Sequence, residues 1–245
     1  MESALPNLLV IGAMKCGTSA LHRMLGQHPA ISMAPVKEVN FFIGPDQPLS
    51  GTDTLWREGQ WCRGVEWYAS LFDASLPVRG ESSPGYTSPD HEEAPGRIAA
   101  VVPDVRLVYL VRDPADRAFS QYLHHAREGA ETRPAAEALM DPASQYLARS
   151  RYHERLAPYL ERFGRDQIHV VVQERLRDRP ASELDAILRH VGLPDGSDHH
   201  PTAGSPPPRR HDLPARVRRR IYDAVADDVG RLRALLDDPV AEWAC

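Results

Sequence analysis

The chain has 245 residues, 42% of them hydrophobic and 26% charged, with a formal net charge of −5. That size and composition fit one α/β domain, and the acidic balance argues against a general nucleic-acid binder. The three dispersed cysteines, Cys16, Cys62 and Cys245, match neither a disulfide framework nor a zinc spacing; with no signal-peptide pattern and no apolar run of membrane-spanning length, a cytoplasmic chain is expected.

In chain order, an apolar strand over residues 7–11 runs into Gly12-Ala13-Met14-Lys15-Cys16-Gly17-Thr18-Ser19 and then a helix over 18–27 whose inner face carries Leu21, Met24 and Leu25. A strand, a Gly-bounded loop and a helix start aim backbone N–H groups and the positive end of a helix at an oxyanion. The usual nucleotide loop places its Lys directly after the second Gly. Here Thr18 holds that slot and Lys15 precedes Gly17 by two residues. The loop is suited to an oxyanion, with its cation displaced. Cys16 has no histidine partner legible in the sequence, and a small side chain suffices at that point.

A short strand over 31–33 leads into an irregular stretch, 36–64, which includes Val36-Lys37-Glu38-Val39-Asn40-Phe41-Phe42. Loops of that length are usually functional or mobile. A short helix over 65–72, a strand over 76–80, turn chemistry at 81–86 and a helix over 97–102 follow. Residues 105–111 are nearly all apolar, as in a parallel strand covered on both faces. Asp113 and Pro114 signal a helix start. A helix is expected over 144–163, a strand over 168–172, and a helix through Leu184, Ile187, Leu188 and Val191, stopped by Gly192 and Pro194. Residues 195–208 read as a loop, and Val217, Ile221, Val225, Val229, Leu232 and Leu236 mark the last helix. Alternating strands and helices predict a P-loop-like three-layer α/β fold, a mainly parallel central sheet flanked by helices, in a single domain spanning 1–245. In such sheets ligands sit beyond the carboxyl ends of the strands, where the loop, Glu81 and Arg112 all fall.

Arg112 ends a strand and Ser120 lies eight residues on, along the following helix. A guanidinium fork and a directed hydroxyl there suit a second phosphate. Taken alone, the two could equally be an ion-paired Arg and a surface Ser. With both sites present, the chain resembles the sulfotransferase family, whose donor is 3′-phosphoadenosine 5′-phosphosulfate (PAPS). Lys15-Cys16-Gly17-Thr18-Ser19 looks like that family's 5′-phosphosulfate loop, Arg112 and Ser120 match its 3′-phosphate motif, and Lys37-Glu38 with Phe41-Phe42 is similar to the Lys-Glu stretch of the carbohydrate branch typified by the heparan sulfate sulfotransferases.

The resemblance implies a PAPS-dependent enzyme without a metal. Glu38 would be the general base, and Lys15 would stabilise the leaving phosphate. The donor would be held by Lys15, Cys16, Gly17, Thr18, Ser19, Ala20, Arg112 and Ser120, with Arg209 and Arg210 in a basic lid. The acceptor would be a carbohydrate, a glycolipid or a small natural product. Where the heparan sulfate enzymes usually carry a Lys after the Glu of the 81–84 segment, this chain has Ser82. His124, His125, Trp56, Trp61, Trp67 and Tyr68 are weaker acceptor-side candidates. Arg216 to Arg220 read as the polar face of the last helix, balanced by Asp223, Asp227 and Asp228. A small-molecule kinase and a non-catalytic nucleotide-binding module remain as alternatives; the first would need a Lys after Gly17 and an Asp holding Mg2+.

Overall fold

A computed structural model describes residues 4–45, 59–142, 144–194 and 213–243. Strands β1 (Leu8–Gly12), β2 (Ile31–Met33), β3 (Val78–Ser82), β4 (Arg106–Val111) and β5 (Ile168–Val172) form one parallel sheet in the order β2-β3-β1-β4-β5. The chain builds the β2/β3 side first, then crosses to the other flank of β1. The carboxyl ends of β1 and β4 therefore meet where the winding reverses, the place where sheets of this class bind ligands.

The helices are α1 (Thr18–Leu25), α2 (Val65–Ala69), α3 (Ala94–Val101), α4 (Pro114–Arg127), α5 (Ala135–Ala138), α6 (Gln145–Ala148), α7 (Tyr152–Leu160), α8 (Gln173–Asp178), α9 (Pro180–His190) and α10 (Ala215–Leu236), with short 3-10 turns at Trp61–Arg63, Pro84–Thr87 and Arg165–Gln167. Both faces of β1 are buried, as are those of β4 beyond Arg106, which explains their uninterrupted apolar sequence. Amphipathic spacing buries Thr18, Leu21, Met24 and Leu25 of α1 and Val217, Ile221, Val225, Val229 and Leu232 of α10. One hydrophobic cluster runs from Leu8 in the first strand to Trp243 near the end of the chain.

Side chains terminate the helices that matter for the site. Asp113 accepts the N–H groups of Ala115 (3.0 Å) and Asp116 (2.9 Å) at the start of α4, with Pro114 in the first helical position. Asp228 of α10 accepts the N–H groups of His153 (3.0 Å) and Glu154 (2.8 Å), capping α7 across the fold.

Three elements differ from expectation. The strand placed at 76–80 runs two residues later, so Glu81 and Ser82 belong to β3 rather than to a turn. The helix at 97–102 starts earlier, at Ala94, with Pro95 in its first turn, where a missing N–H costs nothing. The helix at 144–163 is two helices, broken at residues 149–151. There the Ser150 hydroxyl turns back to the carbonyls of Tyr146 (3.1 Å) and Pro114 (3.2 Å), competing with helix continuation.

Candidate functional site

The loop after β1 is shaped by two glycines. A Cβ on Gly12 would lie 2.2 Å from the Thr87 hydroxyl, so only glycine lets the strand end approach the Pro84–Thr87 turn. Gly17, with φ 94°, turns the chain into α1. Between them Lys15 takes a left-handed backbone (φ 67°), uncommon for a side-chain-bearing residue. The Cys16 N–H donates to the Ala13 carbonyl at 3.1 Å, and those of Ala20 and Leu21 donate to Gly17 at 3.0 and 3.1 Å. The N–H groups of Gly17, Thr18 and Ser19 meet no backbone acceptor among the described residues, leaving three donors at a helix start to serve an anion. The Cys16 side chain is fully buried, 3.7 Å from the Tyr152 hydroxyl. Burial pushes its thiol up to about 11, so it packs as a neutral group rather than acting as a thiolate.

Three arginines from separate elements converge on Met14 and Lys15. Arg112, at the end of β4, donates from Nη1 to the Lys15 carbonyl at 3.2 Å. Arg117 of α4 reaches the Met14 carbonyl at 3.5 Å. Arg149, in the break between α6 and α7, lies 3.5 Å from the Met14 sulfur and donates to the Ser88 hydroxyl at 2.7 Å. Burial lowers the Arg149 pKa to about 10, while the Asp90 and Glu38 carboxylates act in the opposite direction. Tyr152 fixes the Arg112 backbone: its hydroxyl donates to the Arg112 carbonyl at 2.7 Å and accepts from the Arg112 N–H at 3.4 Å.

Ser120 sits half-buried on α4, six residues past Pro114, which is about 9 Å along a helix axis. No hydrogen bond of its hydroxyl is found among the described residues. Next to Arg112, Asp113 is fully committed. It caps α4, pairs with Arg218 (3.1 Å), and accepts from the Tyr222 hydroxyl (2.6 Å). Arg218 also pairs with Asp116. The expectation that Arg216 to Arg220 form the polar face of the last helix, balanced by Asp223, Asp227 and Asp228, thus needs correcting. Arg216, Arg219 and Arg220 are exposed, but Arg218 turns inward and ties α10 to the residue beside Arg112. Asp228 is likewise a buried cap rather than a surface counter-charge.

Glu38 lies on the loop beyond β2, with a left-handed backbone (φ 62°) and its N–H donating to the Ser82 carbonyl at 2.9 Å. That bond holds it at the carboxyl end of β3, beside the loop that follows β1. The Lys37 ammonium contacts the Glu38 carboxylate, and both side chains are partly exposed. Beneath them Glu81 is fully buried and accepts from the hydroxyls of Tyr68 (2.9 Å), Ser83 (2.6 Å) and Tyr86. Desolvation raises its pKa, against those hydrogen bonds and the nearby Lys37. Ser82 is also fully buried, 3.1 Å from His22 Nδ1. Burial and Lys37 bring His22 down to about 4, so the imidazole beside Ser82 is neutral.

The weaker candidates separate. His124 contacts Glu128 at 3.2 Å, and His125 is buried against the Tyr146 hydroxyl at 3.0 Å. Tyr68 stacks on Phe41 within the core (4.1 Å between rings), Arg63 lies over Trp67 (4.1 Å) and Arg97 over Trp61 (5.3 Å), so these rings are occupied by packing. Trp56, Arg209 and Arg210 lie outside the described residues. The contacts of Arg149, Tyr152 and Arg218 are not legible in the sequence; no local pattern marks them, because each acts on a residue 40 or more positions away. Among the described residues, no group of three His, Cys, Asp or Glu side chains could hold a metal, and no helix is long and apolar enough to cross a membrane.

Comparison with known proteins places residues 6–197 in a match to the model of the sulfotransferase family. A solved sulfotransferase from Alicyclobacillus acidocaldarius superposes with a TM-score of 0.81 at 30% identity, covering 97% of this chain and 98% of that one. The sulfotransferase domain of the Synechococcus PCC 7002 olefin synthase has a TM-score of 0.56 at 16% identity, covering 92% and 97% of the two chains, a likeness of fold alone. Among curated proteins, the bifunctional heparan sulfate N-deacetylase/N-sulfotransferase 1 of Caenorhabditis elegans is 31% identical over 210 residues, and the human N-deacetylase/N-sulfotransferase 2 is 27% identical over 211. These alignments cover 79% and 77% of this chain but only 23% and 22% of the relatives, so the chain spans less than a quarter of their length.

Proposed function

The chain belongs to the sulfotransferase family, and we propose that, as a single domain, it moves a sulfuryl group from PAPS to a hydroxyl or amine of a carbohydrate, glycolipid or small natural product. The observation that carries this reading is the 3.2 Å contact between the Arg112 guanidinium and the Lys15 carbonyl. The contact brings the loop after β1 and the start of α4 together at the carboxyl end of the sheet, which supports one ligand with two anionic ends engaging both. Arg112 and Ser120 take the 3′-phosphate. Lys15 and the N–H groups of Gly17, Thr18 and Ser19 take the 5′ end.

Transfer moves an uncharged SO3 unit, and negative charge grows on the phosphate left behind. The loop donors are aimed at that charge before it forms, the arrangement that usually supplies the largest catalytic contribution. Glu38 accepts the acceptor's proton. Its carboxylate is partly exposed, and its backbone is held by Ser82 beside the loop that binds the 5′ end. Lys37 touches that carboxylate and holds it in place before substrate arrives. Arg149 supplies positive charge on the Glu38 side, where Ser82 stands in place of a lysine.

The carbohydrate-type acceptor rests on the heparan sulfate relatives and on the Lys37-Glu38 stretch. A kinase reading is not favoured by Asp113, since its carboxylate is taken by the helix cap, Arg218 and Tyr222. The experiment is incubation with 35S-labelled PAPS and a panel of glycans, glycolipids and phenols in the presence of chelator. Label on an acceptor, lost in Glu38→Gln, supports the reading. Phosphoryl transfer from ATP that requires Mg2+, with no sulfuryl transfer, overturns it.

A further inference from the structure

We propose that Arg117, without touching the ligand, is the counter-cation of the anion seated in the 12–18 loop, a buried charge that the unliganded fold leaves unneutralised and the donor's 5′ end completes. The inference rests on the donor-site reading above and deepens it.

Arg117 is 0% exposed, among the largest fully buried side chains. Its guanidinium donates to the Ser150 hydroxyl (2.7 Å), the Gln121 side-chain carbonyl (2.9 Å), the Tyr146 carbonyl (2.6 Å) and the Met14 carbonyl (3.5 Å). All four acceptors are neutral, and no carboxylate pairs with it among the described residues. The acidic groups that act on it electrostatically are Tyr152, Cys16 and Tyr109, each pushed upward by its own burial and uncharged at neutral pH; Arg112 adds a like charge.

Neutral dipoles solvate a charge but do not cancel it, and an unpaired buried ion costs a fold several kcal/mol. A methionine or leucine would fill the same space without that cost. The position of the charge supplies the reason. One guanidinium nitrogen points at the Met14 carbonyl, the residue before Lys15, so the cation stands directly behind the phosphate loop. In a water-poor interior a charge acts through several ångströms of protein with little screening. Arg112 binds from the front, while Arg117 sets the potential from behind.

Gln121 provides a test that keeps the acceptor facing Arg117, while its Nε2 bond to the Gln145 side-chain oxygen (2.9 Å) is replaced when the Gln145 amide turns its NH2 group toward the new carboxylate. Gln121→Glu keeps an oxygen at the same 2.9 Å position and adds a negative charge against Arg117. The readout is the ratio of calorimetric affinities for adenosine 3′,5′-bisphosphate and adenosine 3′-monophosphate, which isolates the contribution of the 5′ phosphate. In Gln121→Glu the ratio is expected to fall at least about tenfold, with 3′-monophosphate affinity within about twofold of wild type and the ligand-free melting temperature equal or higher. Arg117→Lys, which keeps the charge and loses the fork, retains the ratio. An unchanged ratio in Gln121→Glu, a loss confined to the 3′-monophosphate, or an equal loss in Arg117→Lys overturns the proposal. Wild-type protein that binds the bisphosphate no better than adenosine sinks the donor-site reading itself, and the proposal with it.

Discussion

Replacing Tyr152 with phenylalanine removes one oxygen from a fully buried position and tests how the two proposed anion grips are joined. That hydroxyl donates to the Arg112 carbonyl at 2.7 Å, accepts from the Arg112 N–H at 3.4 Å, and lies 3.7 Å from Cys16 in the phosphate loop. The phenyl ring still packs against Tyr109 and Trp243, so little apolar burial is lost. What remains is a buried carbonyl without its donor, worth about 1–3 kcal/mol. In a chain of this size each kcal/mol shifts the melting temperature by about 2–4 °C, so a fall of about 2–12 °C is expected. The functional consequence is separate. With its backbone no longer pinned, Arg112 holds its fork less well, and adenosine 3′,5′-bisphosphate binds several-fold more weakly. Scanning fluorimetry with and without this ligand measures both effects. A variant that melts at the wild-type temperature and keeps the full ligand-induced shift would refute the idea that Tyr152 joins the strand end to the loop.

Further outcomes follow from the same geometry. Glu38→Gln leaves bisphosphate affinity nearly unchanged and lowers turnover by about 100-fold or more, as read by sulfuryl transfer; undiminished turnover would remove Glu38 as the base. Lys15→Ala costs about 100- to 1000-fold in rate, measured by single-turnover kinetics, and a loss under tenfold would argue that the loop's N–H groups act alone. His169 is half-buried beside His190, Arg165 and Arg189, and desolvation first, then those neighbours, bring its pKa from 6.5 to about 4. The unfolded chain therefore binds more protons between those values, so its stabilisation is complete above about pH 6.5 and is lost towards pH 4, by about 2–3 kcal/mol. Urea titrations of wild type and His169→Phe check this, the variant losing less stability over that range. A thiol reagent mapped by mass spectrometry should label exposed Cys62 in the folded protein and reach Cys16 only on unfolding.

Much of the fold is legible in local sequence because burial writes itself into periodicity. The nearly continuous apolar run of residues 105–111 reads as a covered strand, Asp113-Pro114 carries its own capping chemistry, and the spacing from Val217 to Leu232 is that of one buried helical stripe. The break at 149–151 is not legible. The apolar residues Leu147, Leu156 and Leu160 flank it in a plausible helical order, and the Ser150 hydroxyl that turns the chain answers to Pro114 and Tyr146 in space. The same holds for the site. Lys15, Glu38, Arg112 and Ser120 stand in motifs, but Arg149 faces Met14 only because of that break. Arg218 looks like any other arginine in its basic run until the packing of α10 against α4 turns it to Asp113 and Asp116. The surroundings of Ser82, which stands where the heparan sulfate enzymes usually carry a lysine, are likewise set by residues distant in sequence. Its side chain is covered and bonded to His22, Lys37 acts on that imidazole, and Arg149 interacts with the Glu38 carboxylate.

The most direct measurement is a calorimetric titration with adenosine 3′,5′-bisphosphate in the presence of chelator. One metal-free site is predicted, tighter for the bisphosphate than for either monophosphate, and weakened in both Lys15→Ala and Arg112→Ala. Absence of binding without a divalent cation, or equal affinity for the mono- and bisphosphates, would contradict a single ligand held at two anionic ends.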